Sequence, residues 1–386
     1  MSRSQLYLFS TFLFWTALYV YVPILAPYAR HMGGSMTVVG LIIASYGFMQ
    51  LLFRIPLGIW SDRTGRWKPF LHASLLMLAG SALGLAWSPT PEWMIATRAL
   101  GGLAACSWVV WVVMYAGFFP EERLPAAMSH LGVCSALGQM VSTYAGGWIT
   151  DLYGWTMPFY IGAILSVLSM LVLMPVPEPV QIRKQKLTWH RIASIGTTRS
   201  LLTVSLISAL GQYVTFITIF GFVPVYAVEI GANSAQLGTM TLIGLAGTTV
   251  AAYASGIWLA PRWGMRFVLI LGFVIIGLGT VMIPYSETIG ILYIAQLIGG
   301  LGRGLTQPML MTLAVQSIPP EERGTAMGIY QAVYALGMFG GPVLGGMLGD
   351  WIGLSGVFLS TGLICVIGAV WSGLLRVENK MVISDW

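Results

Sequence analysis

Charge is what this sequence has least of. Only 8% of its 386 residues are Asp, Glu, Lys or Arg, against roughly a quarter in an ordinary soluble domain. Too few charges remain to cover a water-facing surface, so a soluble globular protein is excluded. Disorder is excluded as well, because it needs low hydrophobicity and high net charge, and here 57% of residues are hydrophobic with a mean hydropathy of +0.81. Cysteine is scarce too. Cys106, Cys134 and Cys365 form an odd, widely spaced set, which argues against a disulfide scaffold. Metal-ligand clusters, phosphate-binding loops and nucleophile–base sets are missing from the pattern, so neither an enzyme nor a cofactor is expected.

What is present is long apolar runs. Stretches near the 20 residues a bilayer-crossing helix needs fall at 6–29, 36–60, 69–87, 93–117, 124–150 and 155–175. Six more follow at 200–228, 235–259, 266–284, 289–315, 324–349 and 353–375. The fold class is therefore an all-α polytopic membrane protein with twelve transmembrane helices, since a membrane barrel shows short alternating segments instead. The first run extends past signal-peptide length through Tyr21, Pro23 and Pro27, and reads as a retained helix.

The few charges sort by side. With the N-terminus inside, fifteen of the 19 basic residues fall on one face: Arg3, Arg63, Arg66, Lys68, Arg123, Arg183, Lys184, Lys186, Arg191, Arg199, Arg262, Arg266, Arg323, Arg376 and Lys380. The opposite loops hold Arg30, and Arg54, Arg98 and Arg303 fall within spans. This bias predicts a multi-pass protein of the cytoplasmic (inner) membrane with both termini in the cytoplasm. It also accounts for the net charge of +6 without nucleic-acid binding. No acid falls in the middle third of any span.

The two halves repeat. Pro120-Glu121-Glu122-Arg123 recurs as Pro320-Glu321-Glu322-Arg323, and Gly146-Gly147 with Asp151 recurs as Gly345-Gly346 with Asp350. Val22-Pro23 matches Val223-Pro224, and Gly58-Ile59-Trp60 matches Gly256-Ile257-Trp258. Matching elements are separated by an even number of spans, so the repeats are parallel. The expected domains are an N-terminal six-helix bundle over 1–176, a cytoplasmic linker over 177–199 lying on anionic lipid, and a C-terminal six-helix bundle over 200–386.

Gly58-Ile59-Trp60-Ser61-Asp62-Arg63-Thr64-Gly65-Arg66-Trp67-Lys68, together with the six-plus-six layout, resembles the loop signature of the major facilitator superfamily (MFS). The resemblance implies a secondary transporter, a monomer working by alternating access. It also implies a gate-stabilising role for Asp62, Arg63, Gly65 and Arg66. The physics agrees: a carboxylate at the end of span 2 faces the start of span 11, and a helix N-terminus carries roughly half a positive charge. Arg54, two turns earlier, is placed nearer this inner gate than the substrate. Arg98 in Arg98-Ala99-Leu100-Gly101-Gly102 resembles a second family pattern, which implies a part in proton movement. Gly337, Gly340, Gly341, Pro342, Gly345 and Gly346 resemble a pattern of drug/proton antiporters, found here in span 11.

In parallel-repeat transporters the substrate sits near the midplane between the halves. At 1.5 Å per residue, the residues at that depth are Trp15, Tyr19, Gln50, Trp108, Trp111 and Gln139, and from the second half Gln212, Tyr213, Phe216, Arg303, Gln307, Gln331 and Tyr334. Arg303 is the sharpest of them, because a buried charge must be paired, hydrated or neutralised and no acid lies at its depth. The lack of such an acid disfavours export of cationic drugs. The expectation is proton-coupled efflux of a small, partly apolar neutral, zwitterionic or anionic molecule. The alternative is uptake or facilitated transport of a small organic anion bound by Arg303.

Overall fold

The computed structural model describes residues 2–179, 189–319 and 322–375, apart from the side chains of Asp62, Glu121, Pro125, Trp189, His190 and Ile192. Its described residues are helical throughout, with short connections. The helices are α1 (Arg3–His31), α2 (Met36–Thr64), α3 (Lys68–Ala86), α4 (Trp93–Ala116), α5 (Leu124–Tyr153), α6 (Met157–Leu173), α7 (Arg199–Glu229), α8 (Ser234–Trp263), α9 (Met265–Tyr285) and α10 (Ile289–Gln316). The last run, Arg323–Leu374, is 52 residues long. That is far more than a bilayer accommodates as one rod. It breaks at Gly353, whose φ of 74° suits glycine and few other residues. The two arms are α11 (323–352) and α12 (354–374), completing six helices in each half.

One break inside the other helices repeats between the halves. α1 is interrupted at Val20–Tyr21 just before Val22-Pro23, and α7 carries a π-turn over Thr218–Phe222 just before Val223-Pro224. Proline has no N–H to give to the preceding turn and its ring crowds the carbonyl four residues back. The helix therefore reorganises one turn ahead of it in both places.

Within each half, small and hydroxyl-bearing residues bring the helices together, as expected where lipid removes the hydrophobic drive between them. Ser10 of α1 and Ser169 of α6 are fully buried, and each hydroxyl reaches the other's backbone carbonyl at 2.8–2.9 Å. In the second half the Ser208 hydroxyl of α7 meets the Tyr330 hydroxyl of α11 at 2.8 Å, a contact between a different pair of helices.

The halves meet along two seams, α2 against α11 and α5 against α8. Both seams are tight at the face away from the termini. A Cβ at Gly40 would strike the carbonyl oxygen of Pro342, one at Gly47 would lie 2.7 Å from Met338, and one at Gly346 would lie 2.5 Å from the Met36 carbonyl. A Cβ at Gly238 would lie 2.6 Å from the Thr143 carbonyl. Toward the face bearing the termini the same helices part. Gly58 lies on the same stripe of α2 as Gly40 and Gly47, yet only Val109 of its own half is near it, at 3.8 Å. Gly328 and Gly256 lie about five turns along from Gly346 and Gly238, and a Cβ at either would meet nothing within 4 Å. Among the described residues the halves thus form a V, sealed at the far face and open at the terminal face.

A carboxylate reinforces the seal. Asp350, at the far end of α11, accepts hydrogen bonds from the Met36 and Thr37 backbone N–H groups at the start of α2, both at 2.8 Å. On the terminal face, the segment after α6 is tied to the loop signature by Glu178. Its carboxylate accepts from the N–H groups of Trp67 and Lys68 at 3.1 and 2.5 Å. A short helix, Trp189–Gly196, leads into α7 and is pinned to α11 by an ion pair between Arg191 and Glu322 at 2.6 Å.

Candidate substrate-binding cavity

Where the V begins to open, the two halves enclose a cavity of about 340 Å³. That is toward the small end of the roughly 300–1,000 Å³ range of ligand pockets. The lining residues include Trp15 and Tyr19 of α1, Tyr46, Gln50 and Arg54 of α2, Trp108 of α4, and Gln212, Phe216 and Phe220 of α7. Thr248 of α8, Arg303 and Gln307 of α10, and Gln331, Tyr334 and Met338 of α11 complete the main wall. No carboxylate is among the described residues lining it.

The walls are aromatic from both sides. Trp15 meets Trp108 edge to face at 5.0 Å between centroids, and Phe216 meets Phe220 at 5.1 Å. Tyr19 reaches across to Phe220 at 5.9 Å, and Tyr46 stacks near Phe216 at 6.3 Å. Such contacts hold large flat surfaces in defined orientations.

Ten of the thirteen residues expected at the midplane line this space: Trp15, Tyr19, Gln50, Trp108, Gln212, Phe216, Arg303, Gln307, Gln331 and Tyr334. Three do not. Trp111 is fully buried inside the first half, its ring tilted against those of Phe14 and Tyr7, and its carbonyl accepts from the Tyr7 hydroxyl at 2.7 Å. Tyr213 is one residue beyond Gln212, which turns it about 100° around the helix. There its backbone packs on Gly337 and Gly341. Gln139 is half-buried on α5, a helix that contributes nothing to the lining.

Arg54, expected nearer the inner gate, also borders this space. It lines the cavity and donates from Nη1 to the Tyr334 hydroxyl at 3.1 Å, across the α2–α11 seam. Tyr46, Gln50 and Arg54 recur every four residues, so they share one face of α2. The same spacing links Phe216 to Phe220. Extending the Gln50 and Phe216 stripes by one turn is the signal that finds Tyr46, Arg54 and Phe220.

Arg98 stands behind the wall. Its guanidinium lies 4.5 Å from the centre of the Tyr46 ring and 5.6 Å from that of Tyr21, and Nη1 donates to the Tyr21 hydroxyl at 3.4 Å. Cation–π contacts of this kind are strongest when desolvated, and Arg98 is buried.

Of the other expected gate residues, Arg63, Gly65 and Arg66 are not among the described residues lining the cavity. Arg63 and Arg66 are exposed, and the Asp62 side chain lies outside the described residues. Gly65 ends α2 with a φ of 65°, a left-handed cap that the loop signature's glycine supplies without strain. Arg183, Lys184 and Lys186 of the expected linker also lie outside the described residues.

Two six-helix halves around a shared cavity that opens to one side fit the architecture of a solute carrier. The family model of the Major Facilitator Superfamily matches residues 7–257 and 201–382, and the chain belongs to that family of transporters. It is 25% identical over 369 residues to an MFS-type transporter of Methanocaldococcus jannaschii, covering 92% of this chain and 93% of that one. It is 23% identical over 387 residues to the multi-drug resistance efflux pump PmrA of Streptococcus pneumoniae, covering 98% and 96%. Among solved structures, a variant of the nucleoside transporter NupG superposes with a TM-score of 0.81 at 16% identity, covering 96% of this chain and 99% of that one.

Proposed function

We propose that this transporter exports a small, partly apolar molecule, neutral, zwitterionic or anionic, from the cytoplasm by alternating access, with proton movement in the opposite direction. The observation that carries the reading is the cavity itself. It is shared by both halves, walled by aromatic rings and amide side chains, and furnished with two buried arginines and no described carboxylate. Cations find no counter-charge there, whereas flat apolar bodies and hydrogen-bond acceptors do. The efflux direction draws support from the similarity to PmrA.

The proposed organisation is a bundle over 1–176 and another over 200–386, joined by the 177–199 linker, with the terminal face in the cytoplasm. On this reading the structure is the inward-facing state. Asp62, Arg63 and Arg66 are proposed to assemble as a latch when that face closes, and Arg98 to link the Tyr46 wall to proton movement. Inside-out vesicles test the function: an acidic lumen should drive solute accumulation that a protonophore abolishes. Accumulation indifferent to the gradient would replace proton-coupled export with facilitated movement. Asp62→Asn should lower the transport rate with normal membrane insertion.

A further inference from the structure

The orphaned polar atoms of the cavity are all of one kind. Trp15 Nε1, Gln50 Nε2, Arg54 Nε and the Nε and Nη2 of Arg303 are buried with no hydrogen-bond partner, and each belongs to a lining residue. All five are donors. Gln307 does not answer them, since its Oε1 accepts from Gln212 Nε2 at 3.3 Å. Buried polar groups are nearly always satisfied, so donors left over on four residues that line one space call for acceptors that the described side chains do not supply.

The two guanidinium groups sharpen this. Arg54 is 5% exposed and Arg303 7%. The one side-chain hydrogen bond of Arg54 goes to a neutral phenol, and neither forms an ion pair with any described residue. They come from different halves, Arg54 from α2 and Arg303 from α10. When the halves close and expel water, a buried unpaired charge becomes costly. A single negative charge compensates one arginine and strands the other. Two negative charges, one toward each half, compensate both and tie the halves together in the closed state. Each guanidinium presents a planar fork that matches an oxyanion in bidentate fashion.

We infer that the substrate is an organic dianion: a flat, apolar body carrying two oxyanion groups, one received by Arg54 and the other by Arg303. The inference rests on the transporter reading above and narrows its substrate class. The oxyanions are carboxylates or phosphates, which share this chemistry. The aromatic walls and the volume select a body about the size of one or two rings over a bare inorganic ion.

The test uses the purified full-length protein and ligand-induced thermal stabilisation, which reports binding by mass action. The probes are the ortho, meta and para benzenedicarboxylates and phenyl phosphate, against benzoate, benzamide and tetraphenylphosphonium. At least one dianion should bind roughly tenfold or more tighter than benzoate, the yield expected of one added charge-assisted contact. A dicarboxylate preferred over phenyl phosphate places the charges at separate groups, as the two arginines require. Arg54→Gln and Arg303→Gln should each erase most of the advantage over benzoate. Should a Gln variant fail to fold, the Lys variant should keep a dianion preference. Dianions no better than benzoate, or equal binding of benzamide or tetraphenylphosphonium, would overturn the inference. Counterflow in proteoliposomes separates the two levels. Movement of neutral or cationic solutes with dianions ignored sinks this inference alone. Tight dianion binding with no movement of any solute sinks the carrier mechanism and leaves the charge assignment standing.

Discussion

α2 and α8 occupy equivalent places in the two repeats, and both begin at the far face with unsatisfied backbone N–H groups. They meet that need differently. α8 caps itself: the Asn233 side chain accepts from the Gln236 N–H and the Gln236 side chain accepts from the Asn233 N–H, each at 2.9 Å. α2 has a local cap in Ser35, but its first two N–H groups go to Asp350 on the other half. Asp151, the repeat counterpart of Asp350, is exposed and forms no hydrogen bond among the described residues. One seam therefore carries a bond that has to break when the far face opens, and the other does not. Of the two similar seams, only the α2–α11 seam carries a charged hydrogen-bond partner among the described residues.

That asymmetry can be attacked in order of expected effect. Gly40→Ala puts a methyl against the Pro342 carbonyl, and overpacking of this kind costs about 1–3 kcal/mol. The far face should open, read as lengthened spin-label distances between the start of α2 and the end of α11. Gly328→Ala, placed in open space on α11, should leave those distances unchanged. Asp350→Asn should come next. Losing a carboxylate from an exposed helix N-terminus is worth about 1 kcal/mol, a shift of about fivefold toward the far-open state. Asp151→Asn should produce none, and an equal shift in both would erase the distinction between the seams. Asn233→Ala should lower stability by about 1 kcal/mol without moving the conformational equilibrium, because its bonds stay within α8. Glu322→Gln is expected to have the smallest effect. It removes a pair whose Arg191 partner is half exposed, and thermal melts should show little change, since ion pairs open to water contribute little.

Much of the cavity is legible in the chain because helical geometry is local. Trp15 with Tyr19 and Arg303 with Gln307 are spaced by four, so identifying one member identifies the face. The failures come from the same geometry. Tyr213 shares the depth of Gln212 but not its direction, and Trp111, three residues past Trp108 in the same regular segment, is turned about 60° around the helix from it. Arg54 was harder to place, because sequence distance from Asp62 measures depth, and depth alone does not separate a gate from a cavity wall. Asp350 reads along the chain as an interfacial helix end; its partners are 313 and 314 residues away.

Hydropathy, charge bias and internal repetition are properties of the chain read in order. The bilayer acts on each segment nearly independently, so the order of residues along the chain determines the spans, their two repeats and the lack of acid at mid-span depth. How the two halves lean against each other is a different matter. It depends on backbone contacts such as Gly40 on Pro342 and Gly238 on Thr143, and on a carboxylate meeting a helix start from the opposite half. Each of those contacts is worth little and joins segments remote in sequence. Their sum decides which face is sealed, and it also turns Arg54 toward the same space as Arg303.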